Sequence, residues 1–407
     1  MLINSLTSLL IRGTSILSKY FLIYFMIDKV NLGTYGEFAI FSSVINFTIY
    51  FLGLDYYTYY TRHLINQDKK NDYLSEIFSF NLTLFIVLVP FSIILQFYGF
   101  FKFKHITLFI FILFFDYFSQ EFFRTLIAIK KNIHSNWVVF IKNFLFATIS
   151  ITYIFNHKES PNVLFIIYII WLFSSLIASL FGYYWLVKSL GSILIVPFNF
   201  KFKNIKGGLK VSARFFAGTI LFNAVYTLDK IFILQMSNNT MVGIYSFFLS
   251  LCLMLTTLIE VGVVNQYLPD LLESRNKMPV SVFFTQKKTF RVIILSISLT
   301  CSIIFCLTIK PLLTILNKNE LLSHIDIFYV LIVAVTIFCI SLIPHYILYV
   351  HNKDAEILRC TVISFVGFLL WNIIFTKLGV IGVSYGLTFA FLLLLISKSY
   401  YFFQISD

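Results

Sequence analysis

The sequence predicts an all-α membrane protein of about twelve transmembrane helices arranged as two six-helix halves. Three observations predict it. Of the 407 residues, 59% are hydrophobic and 12% charged, and the mean hydropathy is +0.88. A soluble domain carries about 25% charged residues and under about 50% apolar ones, so this chain has too few polar side chains to face water. Apolar runs of about 20 residues, enough to span a hydrocarbon core about 30 Å thick, follow one another along the chain. Short motifs also recur at a spacing of about 210 residues, and an internal repeat decides an architecture.

The runs fall at roughly 9–29, 36–58, 74–97, 106–129, 136–155, 162–187, 211–235, 240–266, 290–316, 326–350, 355–376 and 379–403. The first is too long for a signal peptide and lacks a small-residue cleavage site, so it is expected to remain as a membrane helix. Between the runs, Lys and Arg are distributed unevenly. With the N-terminus inside, the inner loops and helix ends hold Arg62, Lys69, Lys70, Arg124, Lys130, Lys131 and Lys142. A central inner segment from Lys188 to Arg214 and later inner segments add Arg275, Lys277, Lys287, Lys288, Arg291, Lys353, Arg359 and Lys398. The outer loops hold Lys29, Lys102, Lys104, Lys158, Lys310, Lys318 and Lys377. Cytoplasmic loops carry the excess of Lys and Arg, so both termini are expected in the cytoplasm. The two longest connections, about 188–210 and 267–289, are expected on that same side.

The repeat rests on Leu32-Gly33-Thr34-Tyr35-Gly36 opening the second run and Val242-Gly243-Ile244-Tyr245-Ser246 opening the eighth. The preceding runs match as well: Ser8, Arg12, Ser15 and Lys19 in the first, and Thr219, Asn223, Tyr226 and Lys230 in the seventh. Each set steps by four, three and four residues, which keeps it on one face of a helix. A looser echo pairs Ile127-Ala128-Ile129-Lys130 with Leu348-Tyr349-Val350-His351. The resulting division is an N-terminal lobe over 1–190, a cytoplasmic linker over 191–208 and a C-terminal lobe over 209–407. Six crossings separate the halves, so they run in the same sense.

A net charge of +13 raises the question of nucleic acid. The basic residues sit in short loops between apolar runs rather than on one continuous face, which is the pattern of topology determinants, and nucleic acid is excluded as a partner. Cys252, Cys301, Cys306, Cys339 and Cys360 lie in or at the ends of apolar runs, without a CxxC pair or a neighbouring His cluster. They read as small packing residues, with no disulfide, metal site or cofactor implied.

Charges inside the runs carry the functional signal. A charged side chain at mid-bilayer costs about 2.5–3.5 kcal/mol on insertion scales, so it faces protein or water. Lys19 lies near the middle of the first run, Lys230 beside Asp229 in the seventh, and Asp116, Glu121 and Arg124 in the fourth. One reading is a water-filled cationic cavity between the halves, lined by Arg12, Lys19, Asn223 and Lys230 with Arg214 and Arg359 near its mouth. Lys and Arg are donor-only cations, suited to a phosphate. The alternative is internal pairing, for example Lys19 with Asp116 or Asp229 with its helical neighbours. Asp116 and Glu121 are the candidates for ion coupling, against the plainer role of fixed counter-charge to Arg124, one turn from Glu121. Pro90, Pro311 and Pro344 fall within runs, and Gly382 with Gly386 forms a small-xxx-small step expected to pack tightly on another helix.

No G-x-x-x-x-G-K-[ST] loop, H-E-x-x-H or D-x-D turn is present, and no large outer loop offers a catalytic platform. These absences favour a transporter over an enzyme.

The layout resembles the polysaccharide branch of the multidrug/oligosaccharidyl-lipid/polysaccharide (MOP) exporter superfamily, O-antigen flippases in particular. The residues that carry the likeness are Leu32-Gly33-Thr34-Tyr35-Gly36, Leu228-Asp229-Lys230, and Leu378-Gly379-Val380-Ile381-Gly382-Val383-Ser384-Tyr385-Gly386 at the start of the last run. The resemblance implies a MATE-like fold of two six-helix lobes around a central cavity that opens to either side in turn. It also implies an undecaprenyl-diphosphate-linked oligosaccharide as substrate, moved to the periplasmic leaflet of a bacterial inner membrane. Membrane lipids and polysaccharide polymerase or assembly proteins are the implied partners. Two other readings stand beside it: a multidrug or small-molecule antiporter of the same fold, and a membrane enzyme of polysaccharide assembly such as a polymerase or acyltransferase.

Overall fold

The computed structural model describes residues 2–59, 70–97, 106–129, 131–157, 162–190, 202–277 and 279–404. Among them all regular structure is helical, as the composition demands. The helices are α1 (Leu2–Lys29), α2 (Leu32–Gly53), α3 (Lys70–Phe97), α4 (Ile106–Ala128), α5 (Asn132–His157), α6 (Val163–Leu190), α7 (Phe202–Met236), α8 (Asn239–Ile259), α9 (Asn265–Lys277), α10 (Val280–Ile315), the single turn α11 (Asn319–Leu322), α12 (Ile325–Val350), α13 (Asp354–Ile374) and α14 (Gly379–Phe403). A π-helical turn, Glu260–Val264, joins α8 to α9. Among the described residues ten helices are long and apolar enough to cross a membrane, α8 and α9 counting as one span. Leu307, Ile315 and Phe403 expose 70%, 76% and 80% of their surface. Apolar side chains so bare, on helices of this length, are covered by lipid. The chain is a multi-pass membrane protein.

The helices gather into two compact units, Met1–Phe216 and Ala217–Asp407. In the first, α1 packs on α5, α4 on α6, and α5 on α6. In the second, α12 packs on both α14 and α8, and α13 on α14. The fourth and sixth long helices of each half thus make the same pairing. Of the expected linker over 191–208, residues 191–201 lie outside the described residues and 202–208 form the first turns of α7. Of the basic residues that bear on orientation, Arg62, Lys69, Lys102, Lys104, Lys130, Lys158 and Lys201 also lie outside them.

Close helix contacts are made where a Cβ would not fit. A Cβ on Gly182 of α6 would come within 2.8 Å of the Phe122 side chain on α4. In the second unit a Cβ on Gly386 of α14 would lie 2.6 Å from Asn372 on α13. There Trp371 Nε1 donates to the Gly382 carbonyl at 3.1 Å, and Ser364 Oγ to that of Ala390 at 2.8 Å. The small-xxx-small step therefore packs tightly, and α13 is its partner. Asparagine caps open the second helix of each half: Asn31 Oδ1 accepts from Thr34 N at 2.7 Å and Asn238 Oδ1 from Met241 N at 3.0 Å. The repeated motif opens α2 directly but lies one turn inside α8.

Among its described residues, the connection over 267–289 is largely helical: α9 continues the eighth span to Lys277, and α10 begins at Val280, ten residues before the apolar run. Hydropathy marks the edge of the bilayer, whereas helix formation follows local propensity and one apolar face. Leu271, Phe283 and Phe290 supply that face and are buried.

Candidate functional site

The charged helices of the first unit converge. Helix α1 presents Arg12, Ser15 and Lys19, spaced by three and four residues and therefore on one face. Helix α5, packed along it, presents Asn136, Lys142 and Asn143, and α4 presents Asp116, Glu121 and Arg124. Arg12 Nε donates to Asn136 Oδ1 at 2.9 Å, and Asn143 Nδ2 to Ser15 Oγ at 2.8 Å. These two bonds join α1 to α5 at two levels and fix their register. Lys142 Nζ meets Asp116 Oδ1 at 2.6 Å, and Arg124 Nη1 meets Glu121 Oε1 at 2.7 Å. The Arg124 guanidinium also lies 4.0 Å from the centre of the Tyr57 ring, and that of Arg12 lies 5.7 Å from the Phe123 ring. Asp116 and Glu121 are buried, as an apolar setting allows only for paired carboxylates.

Of these six ionised groups, four are cations and two are carboxylates. Both carboxylates hold a cation, so the positive excess rests on Arg12, whose hydrogen-bond partner Asn136 is neutral, and on Lys19. Lys19 is exposed, and Lys142 and Asp116 are close enough to act on it electrostatically. Among the described residues neither Arg12 nor Lys19 makes an ion pair, while the buried carboxylate of Asp55 lies near Tyr57 together with Arg124 and Glu121.

The other residues expected at the site are arranged differently. Lys230 and Asp229 are buried together in the second unit: Lys230 Nζ donates to the Tyr226 carbonyl at 2.6 Å and lies 3.2 Å from Asp229 Oδ1. Tyr245 Oη donates to Asp229 Oδ2 at 2.9 Å. Lys230 is thereby neutralised within its own unit. Asn223 Nδ2 donates to its own helix at the Thr219 carbonyl, 2.8 Å away. Arg214 on α7 and Arg359 on α13 are exposed.

Asn136 and Asn143 are not among the residues the sequence singles out, and Lys142 counts there only among the cations of inner loops and helix ends. Helix α5 starts at Asn132, so Lys142 is ten residues into it. It is Lys142, not Lys19, that pairs with Asp116. The available signal was the spacing of Asn136 and Asn143, seven residues apart, with Lys142 beside the second, which gives the fifth span one polar face.

The sequence matches no protein-family model, and no curated protein matches it. Solved structures do match. The lipid II flippase MurJ in an inward closed conformation aligns with a TM-score of 0.75 over 98% of this chain and 87% of its own, at 13% identity. An inward-facing multidrug resistance MATE family transporter of the MOP superfamily aligns at 0.72 over 98% and 97%, with 14% identity. The fold is that of MOP-superfamily transporters. A third MOP superfamily transporter, from Pyrococcus furiosus and described as having a binding pocket of reverse polarity, aligns at 0.62 over 99% and 93%, with 16% identity. At such identities the likeness to MOP structures is one of fold.

Proposed function

We propose that this protein is a flippase, not an enzyme. It moves an undecaprenyl-diphosphate-linked oligosaccharide, an O-antigen or similar repeat unit, from the cytoplasmic to the periplasmic leaflet by alternating access. Its membrane is the bacterial inner membrane, with both termini cytoplasmic, and polysaccharide polymerase or assembly proteins act beside it. The observation that carries the reading is the pair of cations on α1 that make no ion pair among the described residues, where Lys19 is exposed and Arg12 is bonded to a neutral amide. A diphosphate is the anionic part of such a cargo, and Lys and Arg bind phosphate oxygens by charge-assisted hydrogen bonds. That a lipid II flippase has the same fold supports a lipid-linked cargo. Asp116 and Glu121, held at 2.6 and 2.7 Å from cations, serve in this reading as fixed counter-charges rather than as an ion-coupling pair. Moving one charge across the membrane is worth about 2.3 kcal/mol per 100 mV. In a cell negative inside, an outgoing diphosphate moves downhill, and the potential alone biases export.

The test is the sidedness of the lipid-linked glycan in cells lacking the protein, complemented by wild type or by Lys19→Ala. Accumulation of completed units on the cytoplasmic leaflet, poorly relieved by Lys19→Ala, is the expected result. Units that reach the periplasm but stay unpolymerised would replace the flippase with an enzyme of assembly. A second reading, a multidrug or small-molecule antiporter, draws support from the MATE transporters of the same fold. The positive site disfavours cationic drugs, and a drug-susceptibility panel unchanged by deletion is expected.

A further inference from the structure

Helix α10 is the least enclosed of the spans among the described residues, with α8, α9, α11 and α12 as its neighbours. Its 36 residues include no acidic side chain. Two cations mark its passage through the bilayer. Arg291 and Lys310 are nineteen residues apart, which is about 28 Å at about 1.5 Å per residue and matches a hydrocarbon core about 30 Å thick. Between them Val292, Leu299, Ile303 and Leu307 are each at least half exposed. Lys287 and Lys288 stand one turn before Arg291, at the level of the lipid headgroups. Tyr400, near the end of α14, is exposed as an interfacial aromatic is.

Phe284, Lys287, Lys288 and Arg291 step by three, one and three residues and share one face of α10. Lys287 Nζ lies 5.4 Å from the centre of the Phe284 ring and 5.1 Å from that of Phe402 on α14. Lys287 is thus spread over two rings and ties this end of α10 to α14. Lys288 and Arg291 are exposed and make no side-chain hydrogen bond or ion pair among the described residues. Other cations of the helices are paired: Lys142 with Asp116, Arg124 with Glu121, Lys230 with Asp229 and Lys353 with Glu356.

The residues that follow complete the pattern. From Lys288, the exposed Val292, Leu299, Ile303 and Leu307 come at steps of four, seven, four and four. A strip of bare apolar surface therefore runs along the helix directly below the two cations. Topology would be served by cations anywhere near the helix end. Here they share one face with the lipid-facing strip. A phospholipid has the same two parts in the same order, a phosphate at the headgroup level and chains below it.

We propose that α10 carries a binding site for an acidic phospholipid such as phosphatidylglycerol. Lys288 and Arg291 hold its phosphate, Arg291 as a planar fork of donors and Lys288 as a point charge. The acyl chains lie along Val292, Leu299, Ile303 and Leu307. Lys287, engaged with Phe284 and Phe402, keeps the end of α14 beside the site. The lipid covers the open side of the most exposed span and holds it at one depth. It is a resident lipid and not a transported one, so the site does not depend on the flippase reading.

The experiment is native mass spectrometry of the full-length protein released from nanodiscs that hold phosphatidylglycerol and phosphatidylcholine in equal amounts. Wild type is expected to retain phosphatidylglycerol in preference, and less so as ionic strength rises. A cation at an acidic headgroup is worth about fivefold in affinity, so Lys288→Gln and Arg291→Gln should each lower the preference about fivefold and together about 30-fold. Lys288→Arg should keep it, and Lys310→Gln, at the far end of the same helix, should leave it unchanged. All four side chains replaced or kept charged in these variants are exposed, so folding is retained. Inorganic phosphate should not displace the lipid, since it lacks chains. Equal retention of both lipids by wild type would overturn the site. So would a preference undiminished in the double variant, which places the lipid elsewhere, or an equal loss in Lys310→Gln, which reduces it to bulk charge. Displacement by phosphate alone would overturn it too, leaving a site for a soluble anion. None of these readouts requires transport.

Discussion

In α1–α6 each buried carboxylate of the site meets a cation brought to it by the fold, Asp116 by Lys142 across a helix interface and Glu121 by Arg124 along its own helix. In α7–α14 the buried Asp229 meets its sequence neighbour Lys230 and the Tyr245 hydroxyl, while Lys398 meets no carboxylate among the described residues. In the first bundle two buried acids hold Lys142 and Arg124, and neither Lys19 nor Arg12 makes an ion pair among the described residues. The second pairs its cation on α7 with the adjacent acid, and Lys398 near the end of α14 makes no such pair among them. Two bundles built on one helix order thus leave cations without an ion pair at different places. What differs is the position of a few acids, not the packing scheme.

Several substitutions probe that comparison. The largest effect is expected from Lys142→Ala, which strands Asp116 in a buried place. Breaking a buried pair from one side costs about 3–5 kcal/mol, so unfolding in detergent should shift strongly. Adding Asp116→Asn should recover most of the loss. Lys230→Ala should cost less, about 1–3 kcal/mol, because Asp229 keeps Tyr245. Equal losses at both lysines would break the distinction between a pair across helices and a local one. Next come Gly182→Val and Gly386→Val, one close contact from each bundle. Overpacking costs about 1–3 kcal/mol, and comparable losses of melting temperature would show that packing is shared where charge is not. Removing the caps by Asn31→Ala or Asn238→Ala should cost about 1 kcal/mol each, read by the same assay. The smallest stability effect is expected from Lys19→Ala, within about 0.5 kcal/mol for an exposed side chain. The same variant should export lipid-linked glycan poorly, and a strong loss of stability would remove it from the site.

The helical membrane fold was readable because composition and run length are set by the bilayer, which acts on every residue of a span alike. The tight step at Gly382 and Gly386 was readable for a similar reason, since small residues spaced by four leave a groove whatever fills it. Lys19 stood out by its depth in a run. Its neighbours did not, because Asn136 and Asn143 are polar residues in the first half of a span, where a hydropathy reading tolerates polarity. The pairing of Asp116 with Lys142 rather than Lys19 depends on the register of α1 against α5, and that register is fixed by amide and hydroxyl contacts with no one-dimensional signature. Helix α9 escaped because its turns are polar enough to leave the bilayer, yet keep one apolar stripe at Leu271.

The Asp116–Lys142 pair also bears on how the chain is made. Helices α4 and α5 are separated by three residues, 129–131, so they leave the ribosome almost together. Alone, α4 would carry Asp116 into the insertion machinery at a cost of about 2.5–3.5 kcal/mol on the scale that machinery obeys. As a hairpin with α5, it presents a carboxylate and an ammonium 2.6 Å apart that cancel before lipid surrounds them. During biosynthesis the unit that enters the bilayer is then the hairpin, and α4 waits for α5.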